Sequence, residues 1–255
     1  MKPTSNSQHE LFMETIRQRR SIRKYKPYKI PIEHIRIIEE AARRAPTDAA
    51  LHLWTAIHVR DDNKKKIIAE ATRQPHIAQA SDFYLYIADL HRLQRLLQHR
   101  GEQLGDSHQA LLLFAAIDAG IAAENMVLAA VSLGYGTCFI GAVHNATEQL
   151  IKLLKLPILT YPLFGLVIGY PDEAPPPRPR LPPTMLFHRE EYQEYTSKQL
   201  EEAYKTMAPI TRRGDYLRLL KRYVAAGGYF EQRNKQLPEL LETMGFKILK
   251  RWERC

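Results

Sequence analysis

A single apolar run, residues 110–133, limits what this chain can fold into more than any other stretch. A run of that length either crosses a bilayer or sits at the centre of a soluble core. Asp118, Glu124 and Asn125 lie near its middle, and such groups are costly in lipid. No second span and no flanking topology signal accompany it. The run therefore predicts a buried core helix over 107–133, usable also as a dimer interface and stopped by Gly134. No membrane partner is expected.

The elements around it alternate. Residues 9–20 predict a helix with Phe12 and Ile16 on one face, the i, i+4 spacing of an apolar stripe. Pro31 suits the first position of a second helix, whose face is Ile32, Ile35, Ile38, Ala42 and Ala45. Pro46 ends it, because the residue before a proline avoids the helical region. Strands are expected at 54–60, 83–88, 136–140 and 163–169, where β-branched and aromatic residues gather. Helices are expected from Asp61-Asp62 to 73, over 90–100 and over 146–156. The fold class is α+β, with helices packed on a small sheet.

At Pro171 the composition changes. Residues 171–183 hold seven prolines together with Arg178 and Arg180, which predicts a stiff, extended segment. Helices at 189–206, 215–225 and 237–251 follow. The expected organisation is a core over 1–183 and a basic, aromatic-rich helical extension over 184–255 that packs on it within one domain. The net charge is +9, which suits an enzyme that attracts anionic ligands as well as it suits nucleic acid. No DNA or RNA motif is present, so nucleic acid is not an expected partner. Two distant cysteines, Cys138 and Cys255, suit a reducing compartment. Residues 1–10 are polar and lack an apolar h-region, and a cytoplasmic location is expected.

Several chemistries drop out. There is no Gly-x-Gly-x-x-Gly, no Gly-Lys-Ser/Thr loop and no Gly-x-Ser-x-Gly. The histidines, His52, His58 and His76 among them, lack metal-ligand spacing, so no metal site is expected. What remains is four separated pieces. Arg19-Arg20-Ser21-Ile22-Arg23 concentrates three guanidiniums, whose planar forks match phosphate or carboxylate oxygens. That stretch reads either as an anion cradle or as a solvated basic helix end. The loop from Ala45 to His52 offers small and hydrogen-bonding residues. Phe139-Ile140-Gly141-Ala142 ends a strand in small residues that let a ring approach the backbone. Arg178-Pro179-Arg180 holds two more cations on a rigid segment.

Taken in order, Arg-Arg-Ser-Ile-Arg-Lys-Tyr (19–25), Glu-Ala-Ala-Arg-Arg-Ala-Pro-Thr (40–47), the Ala-Ala-Glu-Asn-Met-Val-Leu-Ala-Ala-Val-Ser-Leu-Gly-Tyr-Gly run (122–136), Phe-Ile-Gly-Ala (139–142), Pro-Leu-Phe-Gly-Leu-Val-Ile-Gly-Tyr-Pro (162–171) and Arg-Pro-Arg-Leu-Pro (178–182) resemble the nitroreductase family. The likeness is to its branch of oxygen-insensitive NADPH nitroreductases and NADPH–flavin oxidoreductases. It covers residues 10–195 well and the tail loosely.

The resemblance implies an FMN enzyme with a small, mainly antiparallel sheet covered by helices. It implies an intertwined homodimer in which the long helix forms the interface, its Ala115, Ala116, Ala119, Gly120, Ala122 and Ala123 admitting a second helix closely. Arg19, Arg20, Ser21 and Ile22 would bind the cofactor, and Arg23 would sit at the flavin's N1–O2 edge, where a fixed cation favours the reduced anion. Thr47, His52 and Gln74 match flavin-contacting positions. Phe139, Ile140, Gly141 and Ala142 would lie against the ring, and Arg178 and Arg180 would close over the phosphate. Asp48, Ala49 and Ala50 stand where serine, glycine or asparagine are usual in the family, and His52 stands for glutamine. The implied activity is ping-pong, two-electron reduction of nitroaromatics, quinones or free flavin by NADPH, with NADH as the alternative donor. No catalytic side chain is required, since flavin N5 carries the hydride. Arg212 and Arg213 match a place for the NADPH 2′-phosphate, or form a solvated basic turn. The alternative function is FMN storage or sensing without turnover.

Overall fold

The computed structural model describes residues 6–211 and 213–248. The chain divides into two compact units. One runs to Pro175 and takes up the chain again from Leu241; the other is Pro176–Leu240. The division thus falls earlier than the composition boundary at 183/184, and the last segment belongs with the first unit rather than with the extension.

In the first unit, α1 (Asn6–Gln18) and α2 (Ile32–Arg43) precede strand β1 (Trp54–Val59). Then come α3 (Asp62–Thr72), the single turn α4 (His76–Gln79), β2 (Asp82–Asp89) and α5 (Leu90–Gln98). The long helix α6 (His108–Ser132) leads into β3 (Gly136–Ile140), a 3-10 stretch, α7 (Thr147–Leu154) and β4 (Thr160–Gly169). Asp61 caps α3 by accepting the Lys64 N–H, the role an N-terminal carboxylate plays for orphan donors. Arg73, left-handed at φ 55°, closes the same helix.

The four strands form one antiparallel sheet in the order β1-β2-β4-β3. Every residue of β2 is buried, as befits an inner strand covered on both faces. β4 begins three residues before its expected start. Pro162 pairs with Ile87 inside the strand, and the register shifts there, between Tyr86 and Ile87. That irregularity absorbs a proline that cannot donate to the ladder. α6 lies across all four strands and beside α2. Ala119, Ala122, Ala123, Met126, Val127 and Ala130 bury one face against Ile35, Ile38, Ala42, Tyr84 and Tyr86. Large side chains so buried contribute roughly 1.5–3 kcal/mol each.

The opposite face of α6 is bare. Leu113, Phe114, Ile117 and Ile121 are exposed, with Ala116 and Gly120 between them. Leu11, Phe12 and Ile16 of the neighbouring α1 are exposed as well. By length and composition α6 is long and apolar enough to cross a membrane. Its buried face nevertheless carries Asp118, only 2% exposed, and Asn125 donates to the Ala41 carbonyl at 3.2 Å.

Residues 244–248 correct the expected helix over 237–251, whose positions 249–251 lie outside the described residues. α10 runs Tyr229–Thr243 with Pro238 inside it, and Gly245 turns out of it at φ 81°. The end of α10 and the strap beyond it are core: Leu241 in the helix is buried, and so are Met244 and Phe246 after it. The Leu159 N–H donates to Met244 at 2.6 Å, and the Lys247 N–H donates to His108 Nδ1 at 2.9 Å. In the second unit, α8 (Ser197–Met207) starts later than the expected 189. Glu190 is left-handed at φ 61°, and Thr196 with Gln199 forms a capping box that sets the true start. α9 (Tyr216–Tyr223) follows, capped by Asp215.

Candidate functional site

α1 ends at Gln18, so Ser21, Ile22 and Arg23 are extended chain and not a helix end. The segment is laid along the free edge of β3. Ser21 bridges Thr137 in parallel, and the Ile22 N–H donates to the Thr137 carbonyl at 2.9 Å. Tyr25 bridges Pro171, and its hydroxyl donates to the Ile22 carbonyl at 2.7 Å. Ile22 and Tyr25 are buried while Arg23 is exposed: the apolar residues anchor the segment and the guanidinium faces out.

The segment's charges are available. Arg20 donates to the carbonyls of Arg17 and Arg19, and Arg23 Nη1 to the Ser21 carbonyl at 3.3 Å. Among the described residues, no carboxylate pairs with the guanidinium of Arg19, Arg20 or Arg23. Glu173 instead takes the backbone: its Oε1 accepts the Arg23 N–H at 2.5 Å and the Lys24 N–H at 3.2 Å. His76 lies by this group, 5% exposed. Burial first and Arg23 second push its pKa below the usual imidazole value, against Glu173. Its buried Nε2 has no partner among the described residues. Burial also pushes the Tyr25 phenol well up. Gln74, two residues before His76, is half-buried.

β3 ends where the sequence placed a ring platform. Phe139 is 40% exposed and packs edge-on against Phe164 at 5.4 Å. Nothing lies within 4 Å of where a Cβ on Gly141 would stand. Ile140 is buried, Gly141 exposed and Ala142 half-buried.

The third piece, residues 47–53, is held differently. Ala49, Ala50 and His52 are left-handed at φ 44°, 57° and 50°, each at a cost of roughly 1–2 kcal/mol for a residue with a Cβ. Thr47 Oγ1 accepts the His52 N–H at 3.1 Å. Asp118 of α6 reaches up to accept the Asp48 N–H at 3.0 Å and the Leu53 N–H at 3.4 Å. Arg92 of α5 donates to the His52 carbonyl and, at 3.2 Å, to that of Trp54. Farther along α6, Glu124 is raised in pKa by desolvation, and Arg19 is near enough to oppose that shift. One helix therefore faces both pieces.

Arg178 and Arg180 are exposed and belong to the second unit, where Arg180 Nη1 donates to the carbonyls of Arg178 (3.2 Å) and Pro179 (3.1 Å). Arg213 is exposed there too, and Arg212 lies outside the described residues. Reading the sequence missed Asp118, His76, Glu173 and Arg92 as supports. Only Asp118 left a signal, as a carboxylate in an apolar helix. The described residues contain no cluster of three His, Cys, Asp or Glu able to hold a metal ion. The donor set suits a flat, phosphorylated organic ligand: three cations without carboxylate partners, an orphaned buried nitrogen, and an open glycine beside an exposed phenyl ring.

Comparison with known proteins gives this arrangement a family. The model of the Nitroreductase family matches residues 16–170. A relative named FMN reductase [NAD(P)H], from Bacillus subtilis, is 34% identical over 247 residues, covering 93% of this chain and 98% of its own. The structure of B. megaterium NfrA2 superposes with a TM-score of 0.86 at 29% identity, covering 94% of this chain and 99% of that one. The NADPH:FMN oxidoreductase from Vibrio harveyi, complexed with NAD+, superposes with a TM-score of 0.82 at 29% identity, over 92% and 98% of the two chains. The chain belongs to the nitroreductase family.

Proposed function

We propose that this chain is an FMN-dependent NAD(P)H oxidoreductase that reduces a small-molecule acceptor, of the class of nitroaromatics, quinones or free flavin, by two electrons in ping-pong order. The observation that carries the reading is the unpaired arginine segment pinned along the β3 edge beside Thr137. The printed names of the relatives, FMN reductase and NADPH:FMN oxidoreductase, support it.

Bound FMN supplies a hydride acceptor and donor at N5 and negative charge at N1–C2=O when reduced. Everything else is binding and orientation by the protein. Arg19, Arg20 and Ser21 would hold the phosphate, each charge-assisted bond contributing roughly 1.5–3 kcal/mol. Arg23, fixed by Ile22, Tyr25 and Glu173, would place its charge at the pyrimidine edge. Thr47, His52 and Gln74 would contact the ring system, with Phe139, Ile140, Gly141 and Ala142 as its platform. Arg178 and Arg180 are candidate phosphate cations, and Arg213 is the described candidate for the nucleotide's 2′-phosphate. No side chain acts as nucleophile. The bare face of α6, with α1, is the proposed interface of a homodimer, an apolar surface too continuous to remain in water.

The test is direct. Purified protein is expected to be yellow, and NADPH added without air to bleach it, with colour returning on addition of a quinone. Yellow protein that neither NADPH nor NADH bleaches would leave FMN storage or sensing instead. Colourless protein that fails to take up FMN would sink the flavin reading. Ile117→Glu on α6 is expected to shift the protein toward monomer in sedimentation; an unchanged mass would remove the interface.

A further inference from the structure

The 47–53 loop is strained where nothing in packing calls for strain. Asp48, Ala49, Ala50, Leu51 and His52 are all exposed, so the three left-handed residues do not serve to fill a core. Glycine would adopt those angles freely, yet no glycine is present. The conformation persists only because its surroundings over-determine it, the situation found where backbone shape serves a site. The chief restraint is Asp118, 2% exposed, which accepts the N–H at each end of the run, Asp48 and Leu53.

We propose that Asp118 is a positioning residue: from inside α6 its carboxylate clamps both ends of the 48–52 turn and sets the surface that Thr47 and His52 present to the bound flavin and its acceptor. This rests on the flavin reading of the loop. Thr47 and Arg92 complete the clamp, through the His52 N–H and the His52 carbonyl. Asp118 touches neither cofactor nor acceptor and acts through the turn. An asparagine there has the same shape but offers one acceptor oxygen where the carboxylate offers two, and sets an N–H₂ against one of the amides.

The experiment compares holoenzyme of wild type, Asp118→Asn, Asp118→Asn with Ala50→Gly, and Ala50→Val. FMN affinity is read by flavin fluorescence quenching, acceptor KM with a quinone, and amide exchange at residues 48–53. Asp118→Asn is expected to weaken FMN binding about tenfold, equivalent to about 1.4 kcal/mol, to raise acceptor KM more than it lowers kcat, and to speed exchange at Asp48 and Leu53. Ala50→Gly, which removes the steric cost of the left-handed angle that the clamp otherwise offsets, is expected to restore most of the affinity. Ala50→Val strains the turn from its exposed side with Asp118 intact, and is expected to weaken FMN in the same direction. It carries the test if the asparagine variant does not fold. A lowered melting temperature with unchanged FMN affinity and unchanged KM overturns the proposal, as does failure of the glycine to restore binding. Wild-type protein that does not bind FMN overturns the flavin reading itself and is seen before any variant is made.

Discussion

Two segments offer themselves to the same ligand and are held by opposite means. Residues 19–25 lie along a strand edge, with buried Ile22 and Tyr25 as anchors, an ordinary backbone bond from Ile22 to Thr137 and a bridge from Tyr25 to Pro171. Residues 48–52 have exposed side chains and three left-handed angles, and depend on a carboxylate buried in another element. The first segment is relaxed and packed; the second is strained and clamped. Their failures should therefore differ: packing changes should disable the first, and backbone freedom should matter only in the second.

The largest effect is expected at Ile22. It is buried, and its side chain sits against Gly136, where an added Cβ would lie 2.7 Å from Cγ1 and 2.9 Å from Cβ. Ile22→Ala is expected to cost about 2–5 kcal/mol of stability and to release FMN. Gly136→Ala pushes on the same contact from the strand side, at about 1–3 kcal/mol. Because the two residues touch, the double variant should cost less than the summed single costs, a coupling measured by urea unfolding. Additive losses would mean that the anchor is not this contact.

That contact also shows why the site was only partly legible. The arginines announce themselves by density, and Ile22 by its place among them, since charge and hydrophobicity are local properties of the sequence. The four strands and α6 were readable for the same reason. What holds the arginines is not local: Glu173 lies 150 positions away from Arg23, and no pattern in either stretch names the other. The strain at Ala49 and Ala50 was invisible because alanine suggests helix or loop, and only the distant Asp118 makes the turn pay. The late start of α8 was readable in Thr196 and Gln199, a capping-box spacing. The core strap over 244–247 was not, because it is held by Leu159, which donates to Met244, and by His108, which accepts from Lys247.

Acid should test the surroundings of the first segment, with a smaller effect. His76, beside Arg23 and Glu173, has a folded pKa below the 6.5 of a free imidazole, chiefly from burial. A depressed folded pKa means that protonation favours the unfolded chain. The stability is fully present above about pH 6.5 and is lost as pH falls through the folded value. His108, whose Nδ1 must stay unprotonated to accept the Lys247 N–H, shifts the same way. Urea midpoints are expected to fall between pH 7.5 and 5.5, and His76→Gln is expected to flatten that fall, leaving the part due to His108. A variant with the wild-type slope would remove His76 from the account.

The smallest effect is the most discriminating, because its sign differs between the segments. At Ala50 the left-handed angle costs roughly 1–2 kcal/mol, while glycine brings an entropic cost of about 0.5–1 kcal/mol. The balance favours Ala50→Gly by about 0.5 kcal/mol. Ser21 is outside the left-handed region and pairs with Thr137, so Ser21→Gly gains nothing and loses about 0.5–1 kcal/mol. Midpoints moving in opposite directions in one urea series would show that backbone strain is stored in one segment alone. Both falling together would mean that the turn at 48–52 is relaxed in solution, and Asp118 would then have nothing to hold.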